Sequence, residues 1–325
     1  MVHHGLKQLN SKPRPGLNGL IHCTGLRLGK ITASNIVYAV APLINAAGRL
    51  GDAKRSVEMM LQQDENAAFR IAQILEDENR KRRLFDQKAF EEAIPMAKKF
   101  IEDNAPHSLV IYGEKWHAGV IGIVASRLVD KFNLPSVLLT NIDGIAKGSA
   151  RSVNDFDVHT ALKKCEDILL EFGGHKHAAG LSLKIEHIEE FRRRFDELAK
   201  VDISTDMLLP EIVVDAELQF NELSPNFLHS LSKFAPYGFS NYKPVFLTRG
   251  VKSVNGVKVV GNNNLRFRAI QNNFVIDAIG QNLASKLQFC TNGKKFTIVY
   301  NLELTSLNGA KTPQLIIKDI KPDTN

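Results

Sequence analysis

The sequence predicts an α/β domain followed by a small β-barrel, with a long helix leading into the pair from an N-terminal segment. Three observations carry this. Between residues 64 and 104 apolar side chains recur at helical spacing. Residues 105 to about 200 alternate strand-like and helix-like runs, the pattern of α/β organisation. From about Pro210 helical patterns nearly vanish, and runs such as EIVVDAELQF, LRFRAI, FVIDAIG and FTIVYNLEL alternate apolar and polar residues between Asn/Gly turns. At roughly 100–200 residues per domain, the 325-residue chain divides as 1–62, 63–104, 105–203 and 204–325.

Residues 1 to about 60 read as short mixed segments with turn signals at KPRPG and Gly25. They end in INAAGRLGDAKRSVEMMLQQ, a loop entering a helix, with Arg49 after Gly48 on the loop. Asp64 is a good N-cap, and Phe69, Ala72, Leu75, Leu84, Ala89 and Ile94 mark the apolar stripe of the long helix. Pro95 should kink or restart it. A helix this long, charged on its other faces, more often bridges two lobes than sits inside one. The basic run 80–83 has the composition of a solvated face.

The α/β region reads SLVIYG as a strand, GVIGIVASRLVDKF as a helix, PSVLLT as a strand and GIAKGSAR as a strand or loop. VHTALKKCEDILLEF follows as a helix, AAGLSLK as a strand and HIEEFRRRFDELAK as a helix. The last region holds five or more antiparallel strands with one helical insert, SPNFLHSLSKFAPYG.

Apolar residues at 44% and charged residues at 24% exclude a disordered tail. No run approaches the roughly 18 apolar residues of a membrane span, and MVHHGLKQLN lacks the apolar core of a signal peptide, so a cytosolic protein without a membrane partner is expected. Cys23, Cys165 and Cys290 never form a C-x-x-C pair, which argues against a disulfide framework or structural zinc. Charge is unevenly spread: residues 225–325 carry 13 Lys and Arg against 4 Asp and Glu, whereas the rest of the chain is slightly acidic. A basic region of that size suits a polyanionic partner, because bound cations release counterions from a phosphate backbone.

EFGGHKHAAGLSL is the most informative segment. Gly173 and Gly174 allow close backbone approach to a ligand, and His175 supplies a titratable donor. Alone, G-G-H is equally a structural histidine motif. In KWHAGVIGIVASRL, His117 stands at a strand-to-helix junction, where helix N-terminal amides attract anions. GSARS offers Ser149, Arg151 and Ser152 in a further loop, a guanidinium beside hydroxyls that suits phosphate. Asp155 and Asp157 nearby read as loop-capping or ion-pair residues. In the barrel region LRFRAI puts Arg266 and Arg268 on one strand face and Leu265, Phe267 and Ala269 on the other. Tyr237, Phe239 and Tyr242 are candidate base-stacking aromatics, or a turn that staples the helix to the barrel.

The order PLINAAGRL, WHAGVIGIVASRL, GSARS, FGGHKHAAG, FAPYGFSNYKPVF and VGNNNLRFR resembles the RecJ family of single-strand-specific 5′ exonucleases in the DHH phosphoesterase superfamily, over essentially residues 2–322. The resemblance implies a DHH-associated α/β domain and an oligonucleotide-binding (OB-fold) barrel. It implies substrate-phosphate contacts at Arg49, His117, Ser149, Arg151, Gly173, Gly174 and His175, and single-stranded DNA contacts at Tyr237, Tyr242, Arg266 and Arg268. Enzymes of this family hydrolyse phosphodiesters with Mn²⁺ or Mg²⁺ held by an N-terminal D-H-H domain. Here His3-His4 follows Val2 rather than Asp, and Leu43 stands where the family usually has Arg. The expectation is therefore a substrate- and DNA-binding part with no metal ligands or catalytic residues of its own, residues 1–62 being a remnant of the D-H-H side. A separate D-H-H chain is then a possible partner. A non-catalytic nucleic-acid scaffold related to RecJ and a small DHH phosphoesterase acting on short oligonucleotides are the alternatives; the basic β-rich region counts against the latter.

Overall fold

Short helices are marginal on their own and persist where tertiary packing buries one face. In the computed structural model, which describes residues 1–153, 156–203, 211–261, 263–291, 293–307 and 310–323, that packing makes most of the N-terminal region helical. Asp155 and the stretch 204–210 that opens the expected barrel domain lie outside the described residues. The chain divides into two units, His4–Pro210 and Glu211–Asn325, the latter with Met1–His3.

The first unit takes α1 (Val2–Ser11) from His4 onward, and then α2 (Pro15–Cys23). Next, α3 (Ala33–Asn35) runs through one π-helical turn (Ile36–Val40) into α4 (Ala41–Leu50), and α5 (Lys54–Leu61) follows. The mixed segments expected here are thus corrected. The KPRPG turn signal is a helix start: Pro15 occupies the first turn, where its missing N–H costs nothing. A Cβ on Gly16 would lie 2.2 Å from the Met59 carbonyl oxygen, so this glycine lets α2 and α5 touch. Leu20, Val40, Leu43, Ala47 and Met59 close around Ala72 and Leu75 of α6 (Glu65–Asn104).

At 1.5 Å per residue α6 is about 60 Å long. The Asp64 carboxylate accepts from the Ala67 N–H at 2.7 Å to start it, and Ala105 in the left-handed region ends it. Farther along, Ala89, Ala93 and Ala97 pack in a second core with Leu109, Ile111, Trp116, Val120 and Val124. One helix therefore serves two cores. Pro95 lies inside it without ending it, because the alanines on either side are fully packed against neighbours. The expected stripe is partly wrong for the same reason: Leu84 is 67% exposed, and small alanines rather than Phe69 or Leu84 make the close contacts.

A five-stranded sheet follows, in the order β1-β2-β3-β5-β4, from β1 (Leu109–Tyr112), β2 (Ser136–Ile142), β3 (Ile145–Arg151), β4 (Leu169–His175) and β5 (Ala178–Lys184). Only β1 and β2 are parallel, joined by α7 (Ala118–Phe132). The single helix expected over VHTALKKCEDILLEF is corrected: α8 covers Val158–Lys163, a 3₁₀ turn follows, and LLEFGGH is strand β4. Pairing with β5 overrides a helical period that α8 alone uses. The face carrying Val137, Leu139, Ala146, Ala150, Leu181 and Leu183 is buried against α8 and α9 (Ile188–Asp202), where Phe191 and Phe195 fill the core. The opposite face is covered over β1 and β2 by α7 and α6.

The second unit contains β6 (Ala216–Glu217), α10 (Pro225–Ser232), β7 (Phe246–Val260), β8 (Asn264–Gln271), β9 (Phe274–Gly280), β10 (Phe296–Leu307) and β11 (Ala310–Pro322). The order β10-β11-β9-β8-β7 closes through β10 and β7 into a five-stranded barrel, with β6 alongside β7. Closure removes the free edges. The expectation of an all-antiparallel sheet is corrected at β9–β11 and β6–β7, which are parallel, and the expected helical insert, α10, precedes the first barrel strand. Inside lie Phe246, Val251, Phe267, Phe296, Ile298, Tyr300 and Leu315. Cys165 and Cys290 are buried free thiols, which burial pushes up to about 11 and about 12 respectively. Among the described residues no helix is long and apolar enough to cross a membrane.

Candidate anion cleft and nucleic-acid face

In an antiparallel sheet, residues opposed in register point to the same face. The registers β3–β5 and β4–β5 therefore lay three rows across one face: Lys147, Ser182 and Glu171; Ser149, Gly180 and Gly173; Arg151, Ala178 and His175. On this face α7 runs beside β3, with Gly122 against Ser149 and Arg151. The middle row is nearly bare of side chains. It floors a cleft of about 750 Å³ whose lining includes Arg49, Gly119, Gly122, Lys147, Ser149, Arg151, Glu171, Gly173 and Ser182.

Arg151 is half-buried, and its guanidinium donates to Ser149 Oγ at 2.8 Å and to the Ala150 carbonyl at 2.7 Å. Ser149 and Arg151 thus stand on strand β3, which corrects their expected place in a loop. Arg49 is likewise corrected from loop to the last turn of α4, and its guanidinium donates to the Gly119 carbonyl at 3.1 Å. Burial first, and then the Arg49 charge, pull Arg151 below the ordinary arginine value. A guanidinium does not lose its proton in a protein. Two like charges therefore converge on one cleft, an arrangement that an anion relieves.

Glycines make this approach possible. A Cβ on Gly122 would meet Arg151 Nη2 at 2.7 Å and Ser149 Oγ at 2.9 Å, and one on Gly119 would lie 2.2 Å from the Arg49 carbonyl oxygen. Gly119 belongs to the His117 helix-start segment that the sequence picks out, whereas Gly122 sits in an ordinary amphipathic helix, and the close approach made at each is not legible in the sequence. Lys147, Glu171 and Ser182 also escape such a reading. Only the strand register shows that they share a face with Arg151.

His117 caps α7, its Nδ1 accepting from the Gly119 N–H at 3.0 Å while its exposed ring stacks on Phe85 at 5.5 Å. Acceptance at Nδ1 places the neutral ring's proton on Nε2, as a donor. The preceding turn is anchored by the Trp116 indole, which donates to Glu92 at 2.8 Å, and by the Trp116 carbonyl, which accepts from Thr140 at 2.7 Å. His117 adjoins the lining residues Ala118 and Gly119 without lining the cleft itself. Gly174 and His175 follow Gly173 to the end of β4 and also lie outside the lining, while His175 Nδ1 accepts from the His177 N–H at 3.3 Å. Asp157 caps α8 through Thr160, and those hydrogen bonds hold its carboxyl below the usual range.

On the barrel, Leu265, Phe267 and Ala269 are buried and Arg266 and Arg268 exposed, the alternation LRFRAI predicts. Arg268 Nε lies 3.8 Å from Asp277 of β9, its cross-strand neighbour. Arg266 has no ion-pair or hydrogen-bonding partner among the described residues and faces Lys258 of β7 directly across the ladder. Tyr237 is half-buried with its hydroxyl donating to the Leu231 carbonyl at 2.9 Å, and burial raises its pKa. Phe239 and Tyr242, by contrast, are 91% and 71% exposed, their rings 6.3 Å apart edge to face. The Gly238–Asn241 bridge holds Phe239 at a tight turn. Among the described residues, no three His, Cys, Asp or Glu side chains converge as a metal site, so the donor set does not fit a pair of hard cations.

Residues 106–201 match the family model of the DHHA1 domain, and residues 214–319 that of the RecJ OB domain. The single-stranded-DNA-specific exonuclease RecJ of Bacillus subtilis is 32% identical over 97% of this chain and 40% of its own length. That of Escherichia coli is 30% identical over 99% of this chain and 57% of its own length. The chain thus spans about half the length of the curated relatives it matches. The crystal structure of Thermus thermophilus RecJ with Mn²⁺ superposes with a TM-score of 0.84 at 25% identity, covering all of this chain and 46% of that one; a second structure of that protein contains Mg²⁺. This chain is accordingly homologous along its length to the RecJ exonucleases, of whose architecture it carries the DHHA1 domain and the RecJ OB domain.

Proposed function

We propose that the chain supplies the substrate-holding part of a RecJ-type 5′-to-3′ exonuclease acting on single-stranded DNA in repair and recombination in the cytoplasm. The observation that carries this is the convergence of Arg49, Arg151 and Ser149 on a cleft floored by Gly173 and Gly180. Such a cleft takes a terminal phosphate, with His117 and His175 at its margins adding donors. The exposed cations and aromatics of the barrel hold the strand. The division 1–62, 63–104, 105–203 and 204–325 belongs to this proposal.

The divalent metal that activates water in two-metal hydrolysis does not find its ligands among the described residues. In this proposal metal chemistry falls to the length of the relatives that the chain does not span, whether in the same polypeptide or in a separate D-H-H chain. What these residues contribute is orientation and charge neutralisation of the phosphate, which holds a substrate without lowering the chemical barrier by itself.

The test is competition between 5′-phosphorylated and 5′-hydroxyl oligonucleotides for the full chain. Charge-assisted bonds of about 1.5–3 kcal/mol give a preference of roughly tenfold or more for the phosphorylated strand. Arg151→Ala should erase that preference, and Mn²⁺ should elicit no nucleotide release from the chain alone. A preference untouched by Arg151→Ala, or metal-dependent cleavage abolished by a point substitution within the chain, overturns the reading.

A further inference from the structure

The first and third rows of the sheet face differ in a way that terminal-phosphate binding does not use. Along β3, Lys147, Ser149 and Arg151 occur at alternate positions and share one face. At 3.3–3.4 Å per residue they are spaced about 6.7 Å apart, a step comparable to that between successive phosphates of an extended single strand. All three line the cleft and carry hydrogen-bond donors. Across β5, on the same face of β4, Glu171 stands opposite Lys147 with buried Ser182 between them. Lys147 and Glu171 form no ion pair with each other, and neither has another partner among the described residues.

We propose that β3 is a phosphate track: Arg151, with Arg49, holds the terminal phosphate, and Lys147 holds a phosphate farther along the same strand. Glu171, an unneutralised carboxylate on the far side of β5, repels the backbone and so keeps it over β3. This leaves the β4 side to the bases, whose exocyclic amino groups a carboxylate accepts. The polarity follows: the strand leaves the cleft along β3 from Arg151 towards Lys147. The inference rests on the anion-cleft reading above, deepening it from a terminal phosphate to an oligonucleotide of defined direction.

The experiment uses the full chain and a fluorescent 5′-deoxynucleoside monophosphate as reporter of cleft occupancy, displaced by unlabelled 5′-phosphorylated trinucleotide, so that trinucleotide on the barrel is not read. Lys147→Ala should leave reporter affinity within about twofold and weaken competition by the trinucleotide about three- to tenfold. The salt dependence of that competition should become shallower by about 0.7 in log–log slope, the loss of one single-strand phosphate contact. Lys147→Arg should restore it, and Glu171→Gln should tighten the trinucleotide without changing the reporter. If Lys147→Ala weakens both ligands equally, or neither, the track is wrong. Arg151→Ala separates the two layers: it should abolish reporter binding. Survival of that binding would sink the anion-cleft reading itself, whereas a silent Lys147→Ala beside an effective Arg151→Ala would remove only the track.

Discussion

Gly173 and Gly174 are adjacent and answer to different constraints. A Cβ on Gly174, whose φ is 150°, would lie 2.4 Å from the Ala178 carbonyl oxygen and 2.5 Å from Ala179 Cα, so the β4–β5 pairing demands a glycine there. A Cβ on Gly173 would meet nothing within 4 Å, and this residue lines the cleft. Overpacking against backbone costs about 1–3 kcal/mol. Gly174→Ala should therefore lower the melting temperature measurably. Gly173→Ala should leave it within a degree or two while weakening 5′-phosphate binding, by occupying space the ligand uses. Calorimetric melting and nucleotide titration of the two variants check this, and equal melting temperatures would be the contrary result. The G-G-H motif is legible in the sequence, but the split in its duties is not, because it depends on what β5 places across from each residue. Tyr237 makes the same point: its hydroxyl is engaged with Leu231, whereas Phe239, two residues on, is free to stack.

Among the secondary-structure elements, strand β8 was fully readable and β4 was not. LRFRAI alternates cleanly because a closed barrel buries one face of each strand, and its exposed cations follow from the same period. LLEFGGH carries no such alternation, and its residues join β5 only through long-range pairing. Like charges directly opposite on a ladder destabilise it, so the Lys258–Arg266 pair is disposed to take a phosphate. Arg266→Ala should weaken single-stranded DNA binding and reduce the salt slope by about 0.7. Phe239→Ala should weaken it by about 1–3 kcal/mol, one base stack, with the slope unchanged. Fluorescence titrations across a salt series distinguish the two; a slope change on losing Phe239, or none on losing Arg266, would contradict these roles.

Over the whole molecule, the two units hold separate hydrophobic cores. The barrel's core draws only on residues from Leu218-flanked β6 onward, and its five strands close on themselves. A fragment of residues 211–325 should therefore unfold cooperatively by circular dichroism and keep salt-sensitive single-strand binding while losing the 5′-phosphate preference. Loss of structure in the fragment would mean that the barrel depends on the rest of the chain. The other unit hangs on α6, whose alanines at 68, 72, 89, 93 and 97 join the N-terminal helices and the sheet to one axis. The sequence marks this helix by period and length, and its double duty by charge on the remaining faces.

The sequence by itself determined the order of domains, the long helix, the basic barrel and the residue types proposed to hold phosphate, because hydrophobic period, charge and short motifs are local properties of a chain. Tertiary structure decided the rest. It set Arg49 at a helix end beside an arginine a hundred residues away, hid the need for bare surfaces at Gly119 and Gly122 inside a helix, and put Lys147, Ser182 and Glu171 in one row. Each of these is fixed by strand register or close packing between distant segments, and register is a property of pairs of strands that no single stretch of sequence contains.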